Sequence, residues 1–280
     1  MYLVTGATGN VGEEVVAQLL ARGARVRVFG RDAARLARWG DRVERAIGDF
    51  AAPDSVARAA TGADAVFLMT GGFERASFAE LAAALRAGGA PRVVFLSTLV
   101  ADVPELEIGA LHKQREDAIR DAGLHATFVR PGGFMSNAYG WIPAIQAEGA
   151  VHNAMGGGSF APIAPEDIAA VVVHALTTPP PAGQVFELTG GELTTVAAQV
   201  EILAGVIGKP LRCVDVPVEA FVQQMTRSGA PPHIAAAVGQ SFEAIRAGRG
   251  AVRKDTVERL LGRPAMTFEA WARKHAARFA

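Results

Sequence analysis

The sequence predicts an α/β protein: a doubly wound parallel sheet with helices on both faces, joined to a smaller, mostly helical C-terminal lobe. Three observations carry that expectation. Short apolar runs alternate with amphipathic helical stretches through the first two-thirds of the 280 residues, the pattern of right-handed strand–helix–strand crossovers. Some of the apolar runs are continuous, as in Val93-Val94-Phe95-Leu96, and strands buried on both faces read this way. The chain also opens on a strand, a glycine-rich turn and a helix in immediate succession.

Taken in order, residues 1–4 form the first strand, Thr5-Gly6-Ala7-Thr8-Gly9-Asn10-Val11-Gly12 the turn, and residues 13–22 the helix. Residues 25–29 and 43–47 are the second and third strands, the latter ending at Gly48-Asp49. Pro53 opens a short helix to residue 60, a place where its missing N–H costs nothing. Residues 65–69 form a fourth strand that runs into Thr70-Gly71-Gly72, and residues 76–87 a helix. A fifth strand at 92–97, a helix at 109–122 and a sixth strand at 126–129 complete the strict alternation. Beyond Met135 it weakens. Gly156-Gly157-Gly158-Ser159 reads as a loop, and Pro165-Glu166-Asp167 opens a helix to about residue 176, with its acids at the favourable end of the dipole. The tract Thr178-Pro179-Pro180-Pro181 stops that helix, and residues 185–188 read as a returning seventh strand. The remainder holds a helix near 195–207, a strand near 211–216 and further helices. The expected division is a core of residues 1–150 with the returning strand at 183–190, and a substrate-covering lobe of residues 151–182 and 191–280.

Half of the residues are hydrophobic and the formal net charge is zero, which fits a globular protein with a sizeable core. The balance gives no electrostatic reason to expect a nucleic-acid or membrane partner. Cys213 is the only cysteine, so neither a disulfide framework nor a thiolate metal cluster is expected. The six histidines show no metal-ligand spacing. The expected location is the cytoplasm, and the expected state a monomer or homodimer.

The opening turn carries the most chemistry. Strand, glycine turn and helix form the context of a Rossmann-like dinucleotide loop. Gly6 permits the tight turn, Gly9 a close approach of the backbone to a pyrophosphate, and Gly12 close packing of helix on strand. The N–H groups of the first helical turn then face the anion. Thr8, Asn10 and Val11 complete the candidate phosphate contacts. In open parallel sheets ligands bind at the carboxyl ends of strands, which adds Arg31, Asp49, Phe50, Thr70, Gly71, Pro131 and Phe134 to the candidate cofactor residues. The second strand ends Val28-Phe29-Gly30-Arg31-Asp32. Arg31, with Arg35 one helical turn on, can clamp a 2′-phosphate through planar charged donors. This favours NADP(H) over NAD(H), although a carboxylate at Asp32 would keep NAD open. Asp49 is a candidate for the adenine ring, or a turn aspartate.

The Thr5–Gly12 loop, Arg31, Gly48-Asp49, the strand ending at Ser97 and Arg130-Pro131 together resemble the short-chain dehydrogenase/reductase superfamily, within it the atypical, NmrA-like group. The resemblance extends to Gly208-Lys209-Pro210 and Gly262-Arg263-Pro264 and covers nearly the whole chain. It implies a fold and a nicotinamide cofactor. It also implies kinship with NADPH-dependent quinone, azo-dye and triphenylmethane-dye reductases and with redox-sensing regulators. The superfamily's usual proton donor is a Tyr with a Lys four residues on. Here the tyrosines are Tyr2 and Tyr139, followed at that spacing by Gly6 and Pro143, and Lys113 is preceded at that spacing by Gly109. The usual carbonyl-reduction pair is absent. His112 and Glu116 instead share one helix face, as in the reductase group. His112 can supply a proton near neutral pH, or the pair can be structural. Lys113 is a candidate for a nicotinamide ribose and for catalysis. Ser97 lies where the superfamily keeps a substrate-facing hydroxyl, or it satisfies a strand-end turn. In the family the Arg130–Asn137 loop runs beside the nicotinamide, and many members carry Asn where Gly132 stands.

Met69, Phe73, Phe134, Met135, Tyr139, Trp141, Met155 and Phe160 gather at predicted strand ends and loops. As a set they favour an apolar slot for a flat, ring-bearing substrate, although each is also a candidate for plain core. Phe73, Met135, Tyr139, Trp141, Met155 and Phe160 are the expected substrate contacts. No paired-carboxylate, nucleophile–base or metal constellation is present. The expected activity is hydride transfer from NADPH to a quinone-like, dye-like, imine or activated-carbonyl acceptor. A nucleotide-sensing regulator without turnover, or a non-redox biosynthetic enzyme on the same fold, remains the alternative.

Overall fold

The computed structural model of the protein describes residues 1–70 and 78–279. The described elements, in chain order, begin with β1 (Tyr2–Thr5), α1 (Asn10–Ala21), β2 (Val26–Gly30), α2 (Ala33–Leu36), β3 (Glu44–Ile47) and α3 (Pro53–Ala60). Next come β4 (Ala65–Leu68), α4 (Phe78–Ala87), β5 (Arg92–Leu96), α5 (Glu107–Asp121) and β6 (His125–Pro131). After these follow α6 (Ile142–Glu148), β7 (Ala150–Asn153), β8 (Ser159–Phe160), α7 (Pro165–Thr177) and β9 (Val185–Leu188). The chain ends with β10 (Thr194–Thr195), α8 (Val196–Ile207), β11 (Arg212–Asp215), α9 (Val218–Arg227), α10 (Pro232–Arg246), α11 (Thr256–Leu261) and α12 (Phe268–His275).

Seven strands form one sheet in the order β3-β2-β1-β4-β5-β6-β9. The pairs from β3 to β6 are parallel. The last pair keeps a constant offset, with Phe128 N donating to Gln184 O and Gly132 N to Leu188 O, as parallel strands do. The predicted doubly wound sheet is therefore present, returning strand included. Burial follows strand position. Central β4 is buried at every residue, whereas edge strand β3 leaves Ile47 53% exposed.

By packing, the described residues divide into two compact units. The first holds Met1–Ala101, Leu111–Arg130 and Pro165–Phe186, and the second Asp102–Ala110, Pro131–Ala164 and Glu187–Ala280. The first unit's core includes Leu3, Val66, Leu68, Leu85, Phe95, Ile119 and Phe128, from the sheet and the helices α4 and α5. The expected boundaries differ from this in two places. Helix α7, assigned by sequence to the lobe, packs along α1, where Gln18 Nε2 donates to Glu166 O at 3.0 Å. Its burial on nearly every side explains why its face could not be read from periodicity. Residues 131–150, assigned to the core, belong to the second unit.

That second unit packs Val151, Val196, Val200, Leu203, Phe268, Trp271 and Phe279 into one cluster. Two small sheets organise it. β7 pairs in parallel with β11, and β8 with β10 in the antiparallel sense. Thr195 and Thr267 cap α8 and α12 by accepting from Ala198 N and Ala270 N, each satisfying an orphan first-turn donor. No described helix is long and apolar enough to cross a membrane.

Candidate cofactor and acceptor site

The glycine turn builds a cradle within the first unit. Gly6 takes the left-handed region at φ 63°, which glycine adopts without strain. Gly9 N donates to Gly6 O at 2.9 Å, and Gly9 then stands at the N-cap of α1 with no side-chain cap. A Cβ on Gly12 would stand 2.1 Å from Gly6 O, so only glycine lets the helix start rest on the turn. The first-turn amides of α1 are left without capping side chains, next to the positive end of a twelve-residue helix. Thr5 Oγ1 ties the turn to the neighbouring strand by donating to Phe67 O and accepting from Met69 N at 2.7 Å. Beyond β4, the buried Thr70 Oγ1 has no hydrogen-bond partner among the described residues, which leaves it to a ligand or water. These open donors and missing Cβ atoms fit the pyrophosphate of a dinucleotide. Gly71 and Phe73 lie outside the described residues.

At the end of β2, Arg31 is 77% exposed and approaches Asp49 Oδ2 only to 3.8 Å. Arg35 is exposed and has no ion-pair partner among the described residues. Both guanidinium groups are available to an anion. Asp32 accepts the Arg35 N–H through Oδ1 at 3.1 Å as the N-cap of α2, which employs one of its oxygens locally. Asp49 Oδ1 accepts from Ala51 N at 3.0 Å, and half-buried Phe50 leans on Phe29 with ring centroids 5.5 Å apart. Gly48 admits no Cβ, because Phe29 and Ser55 would stand 2.6 Å from it.

The carboxyl ends of β5 and β6 meet α5 in a buried polar cluster. Glu116 is fully buried, and Ser97 Oγ donates to its Oε1 at 2.6 Å. Arg130 donates from Nε to Oε1 at 2.8 Å and from Nη2 to Oε2 at 2.7 Å, a bidentate pair with Arg130 4% exposed. Arg120 adds a bond to Oε2 at 3.1 Å, and its guanidinium covers the Phe128 ring at 4.2 Å. Burial pushes the Glu116 carboxyl up, but the bonds from Arg130 and Ser97 and the Arg130 charge outweigh it, and the net direction is down.

This cluster holds two of the residues singled out by sequence. Ser97 is 5% exposed, with its hydroxyl turned to Glu116, as the strand-end alternative has it. Glu116 accepts from Ser97, Arg130 and Arg120. One turn before Glu116, the half-buried His112 ring lies 6.4 Å from that of Phe95, centroid to centroid. Lys113 Nζ binds the Asp117 carboxylate at 2.6 and 2.8 Å. That bond and the Lys113 charge, opposed by burial, hold Asp117 below the usual carboxylate range.

In the second unit the loop after β6 is stitched in place. Gly132 N donates to Leu188 O and Ile163 N to Gly133 O, both at 2.9 Å, Phe134 bridges Ile163, and Met135 N donates to Ile163 O at 2.9 Å. Pro131 is buried and Phe134 half-buried. Among the described substrate candidates, Met135 lines a cavity. Tyr139 stacks on Trp271 at 5.3 Å and Phe279 at 5.8 Å, and Trp141 faces Phe268 at 6.5 Å. Met155 and Phe160 pack against the same cluster. All four are partly buried against this cluster, and Tyr139 and Trp141 meet residues more than a hundred positions downstream. The cavity, of about 180 Å³, is lined by Met135 and Pro162, by Gly191, Glu192 and Thr194, by residues 253–255, 257 and 258, and by residues 264–268. Sequence reading missed all of these but Met135. The nearest signal was Gly262-Arg263-Pro264, noted as a feature of the resemblance. No described cluster of side chains could hold a metal ion.

Residues 6–179 match the family described as NAD(P)H-binding. The chain belongs to this family. It binds NAD(P)H and is an oxidoreductase, as expected from the glycine turn. It is 39% identical to the (4-alkanoyl-5-oxo-2,5-dihydrofuran-3-yl)methyl phosphate reductase of Streptomyces griseus, covering 100% of this chain and 99% of the relative. It is 33% identical to the NAD(P)H azoreductase of Xenophilus azovorans, over 100% and 99% of the two chains. Among solved structures, the NADPH-dependent quinone oxidoreductase of Escherichia coli, complexed with NADPH, superposes with a TM-score of 0.85. It covers 98% of this chain and 99% of its own at 22% identity, a likeness of fold. The resemblance to dye and quinone reductases read from the residues is upheld.

Proposed function

We propose that the protein is an NADPH-dependent reductase of small, apolar, electron-poor acceptors: quinone-like, dye-like, imine or activated-carbonyl compounds. The observation that carries this reading is the pairing of an intact dinucleotide cradle with a proton-donor helix that has Gly109 where the usual tyrosine would stand. A conjugated acceptor spreads the added charge and needs no strong protein acid, and the reductases similar to this chain are named for an alkanoyl-oxo-dihydrofuran phosphate and for azo compounds.

When bound, the reduced nicotinamide supplies a hydride, and one proton balances it, so that acceptor, NADPH and H⁺ give the reduced acceptor and NADP⁺. The chain's own residues bind and orient. Gly6, Gly9 and Gly12 admit the pyrophosphate to the first-turn amides of Asn10 and Val11, with Thr8 beside them. Arg31 and Arg35 take the 2′-phosphate, which supports NADPH over NADH. Asp49 and Phe50 stand at the end of β3, on the adenine side, and Thr70 at the end of β4. His112 supplies the balancing proton. Lys113 reaches a ribose hydroxyl by exchanging its bond to Asp117. A cytoplasmic protein acting as monomer or homodimer is part of this proposal, supported by the absence of any cysteine pair.

The test is NADPH oxidation by purified protein across a panel of quinones, azo dyes and imines, with NADPH binding followed by tryptophan fluorescence. Turnover of at least one class is expected, and His112→Ala lowers it with loss of the neutral-pH limb of the profile. Tight NADPH binding without oxidation across the panel would refute the reductase reading and favour a nucleotide sensor.

A further inference from the structure

A third arginine stands on the segment that carries Arg31 and Arg35. Helix α2 runs directly into a tighter 3-10 turn (Ala37–Arg42), and Gly40, with φ 58° and ψ −144°, ends the helical path. Leu36 and Trp39, three apart, form the buried side of this segment, and Leu36 packs over Gly30 at the end of β2. Arg35 and Arg38 keep the same spacing, and in so tight a turn residues three apart share a face. Where that face looks is settled by Arg38. Its Nη2 donates to Glu13 Oε1 at 2.5 Å, and Glu13 lies in the first turn of α1, its own N–H bonded to Gly9 O at 2.9 Å. The arginine face of α2 therefore looks toward the phosphate end of α1, and all of these residues belong to the first unit.

Glu13 is an adverse neighbour for a dinucleotide. Its carboxylate favours the helix N-terminus in the free chain but repels any phosphate brought to the same amides. Arg38 balances that charge through a pair whose partners are 48% and 36% exposed, and so open to exchange. An exposed ion pair contributes about a threefold factor to an equilibrium. An arginine bond to phosphate, charge-assisted and planar, contributes about tenfold or more, so the exchange runs toward phosphate. The other acids nearby are placed differently. Asp32 caps α2, Asp49 accepts from Ala51 N, and Asp41 follows the Gly40 break. Glu14 stands about 100° further round α1. Glu13 is the acid that competes for Arg38.

We propose that Arg38 and Glu13 are a specificity-determining pair for the cofactor: Arg38 is a third guanidinium for the 2′-phosphate, and Glu13 is the carboxylate that Arg38 leaves in order to bind it. The proposal rests on the assignment of Arg31 and Arg35 to that phosphate and adds both a partner and a competitor to it. A ligand without the 2′-phosphate leaves the pair closed. Discrimination between NADPH and NADH is then set by how firmly Glu13 holds Arg38 as well as by the number of arginines.

The experiment measures binding of NADP⁺ and NAD⁺ to the full-length protein by calorimetry, since the two differ by the 2′-phosphate alone and no turnover intervenes. Arg38→Met keeps the aliphatic stem beside the Trp39 ring, whose centroid lies 5.9 Å from the guanidinium, and removes the charge. The preference for NADP⁺ over NAD⁺ should fall about threefold or more, the tenfold contact divided by the threefold pair. Glu13→Gln opens the same pair from the other side and frees Arg38, so the preference should rise about threefold. A pair that only braces α2 against α1 predicts a loss in both variants, and the opposite signs separate the two roles. A preference that falls in Glu13→Gln, or that is unchanged in either variant, would overturn the proposal. Arg31→Ala is measured alongside. A preference lost there but kept in Arg38→Met overturns this proposal and leaves the Arg31 assignment standing, whereas a wild type that binds NAD⁺ as tightly as NADP⁺ overturns both.

Discussion

Replacing Glu116 by Gln leaves the shape of the buried cluster and removes its charge. The wild-type carboxylate accepts from Ser97, twice from Arg130 and once from Arg120, with no exposure of its own. In the variant, one oxygen becomes an NH₂ group that points donors at donors, and the Arg130 guanidinium, 4% exposed, is left without its buried counter-charge. Breaking a buried pair from one side costs about 3–5 kcal/mol. For a domain of this size each kcal/mol is about 2–4 °C in Tm, so a fall of roughly 6–20 °C is expected by calorimetry at neutral pH. The pH dependence gives an independent signature. The folded carboxyl titrates below its ordinary value of 4.5, so between the two pKa values the unfolded chain binds more protons. The pair's stabilisation is therefore complete above the unfolded value and is lost as pH falls through the folded one. That segment of the stability curve should vanish in Glu116→Gln. Replacing both partners with apolar groups, Glu116→Leu with Arg130→Met, should restore at least about half of the loss, since matched apolar replacement of a buried pair is often neutral. A Glu116→Gln protein within about 1 kcal/mol of wild type, with an unchanged acid limb, would refute the reasoning.

Arg31→Ala should weaken NADPH by about tenfold or more, the loss of one charge-assisted contact, while leaving NADH nearly unchanged; equal losses measured by fluorescence titration would exclude the 2′-phosphate role. Gly12→Ala forces a Cβ to 2.1 Å from Gly6 O and should destabilise by about 1–3 kcal/mol with loss of measurable NADPH binding. Native binding in that variant would count against the cradle. Tyr139→Leu should cost about 1–3 kcal/mol through lost contacts with Trp271 and Phe279 and leave relative kcat/KM across an acceptor panel within about twofold. A selective change in acceptor preference would return Tyr139 to the substrate site.

The sheet was legible because its signals are local. A run such as Ala65–Leu68 is apolar at every position and buried at every position, and the turn from Gly6 to Gly12 states its geometry within seven residues. The Glu116 cluster was half legible. Helical spacing put Glu116 on the same face as His112, but its actual partners Ser97 and Arg130 lie on two strands, and nothing in helix periodicity points to them. The aromatic set after β6 was the least legible. Tyr139 and Trp141 have the same composition whether they line a slot or close a core, and the choice is made by Trp271 and Phe268, which sit on a helix far along the chain. The pairing of β7 with β11 escaped for the same reason, since four-residue strands separated by some sixty residues carry no shared local pattern.

The route of the chain between the two units has a consequence for how the protein is made. Neither unit is continuous in sequence, because the first needs Leu111–Arg130 and Pro165–Phe186 as well as its amino-terminal part. A ribosome that has released β6 has therefore not yet delivered α7, which packs on α1, or β9, which closes the sheet edge. At about 5–20 residues per second, the stretch from residue 131 to residue 186 takes several seconds to emerge. Throughout that interval β6 is an open strand edge with apolar faces, the kind of surface that invites pairing with another chain. A fragment truncated after Arg130 would carry the complete glycine turn and still be expected to aggregate, which places the demand for chaperone protection in the middle of synthesis rather than at its end.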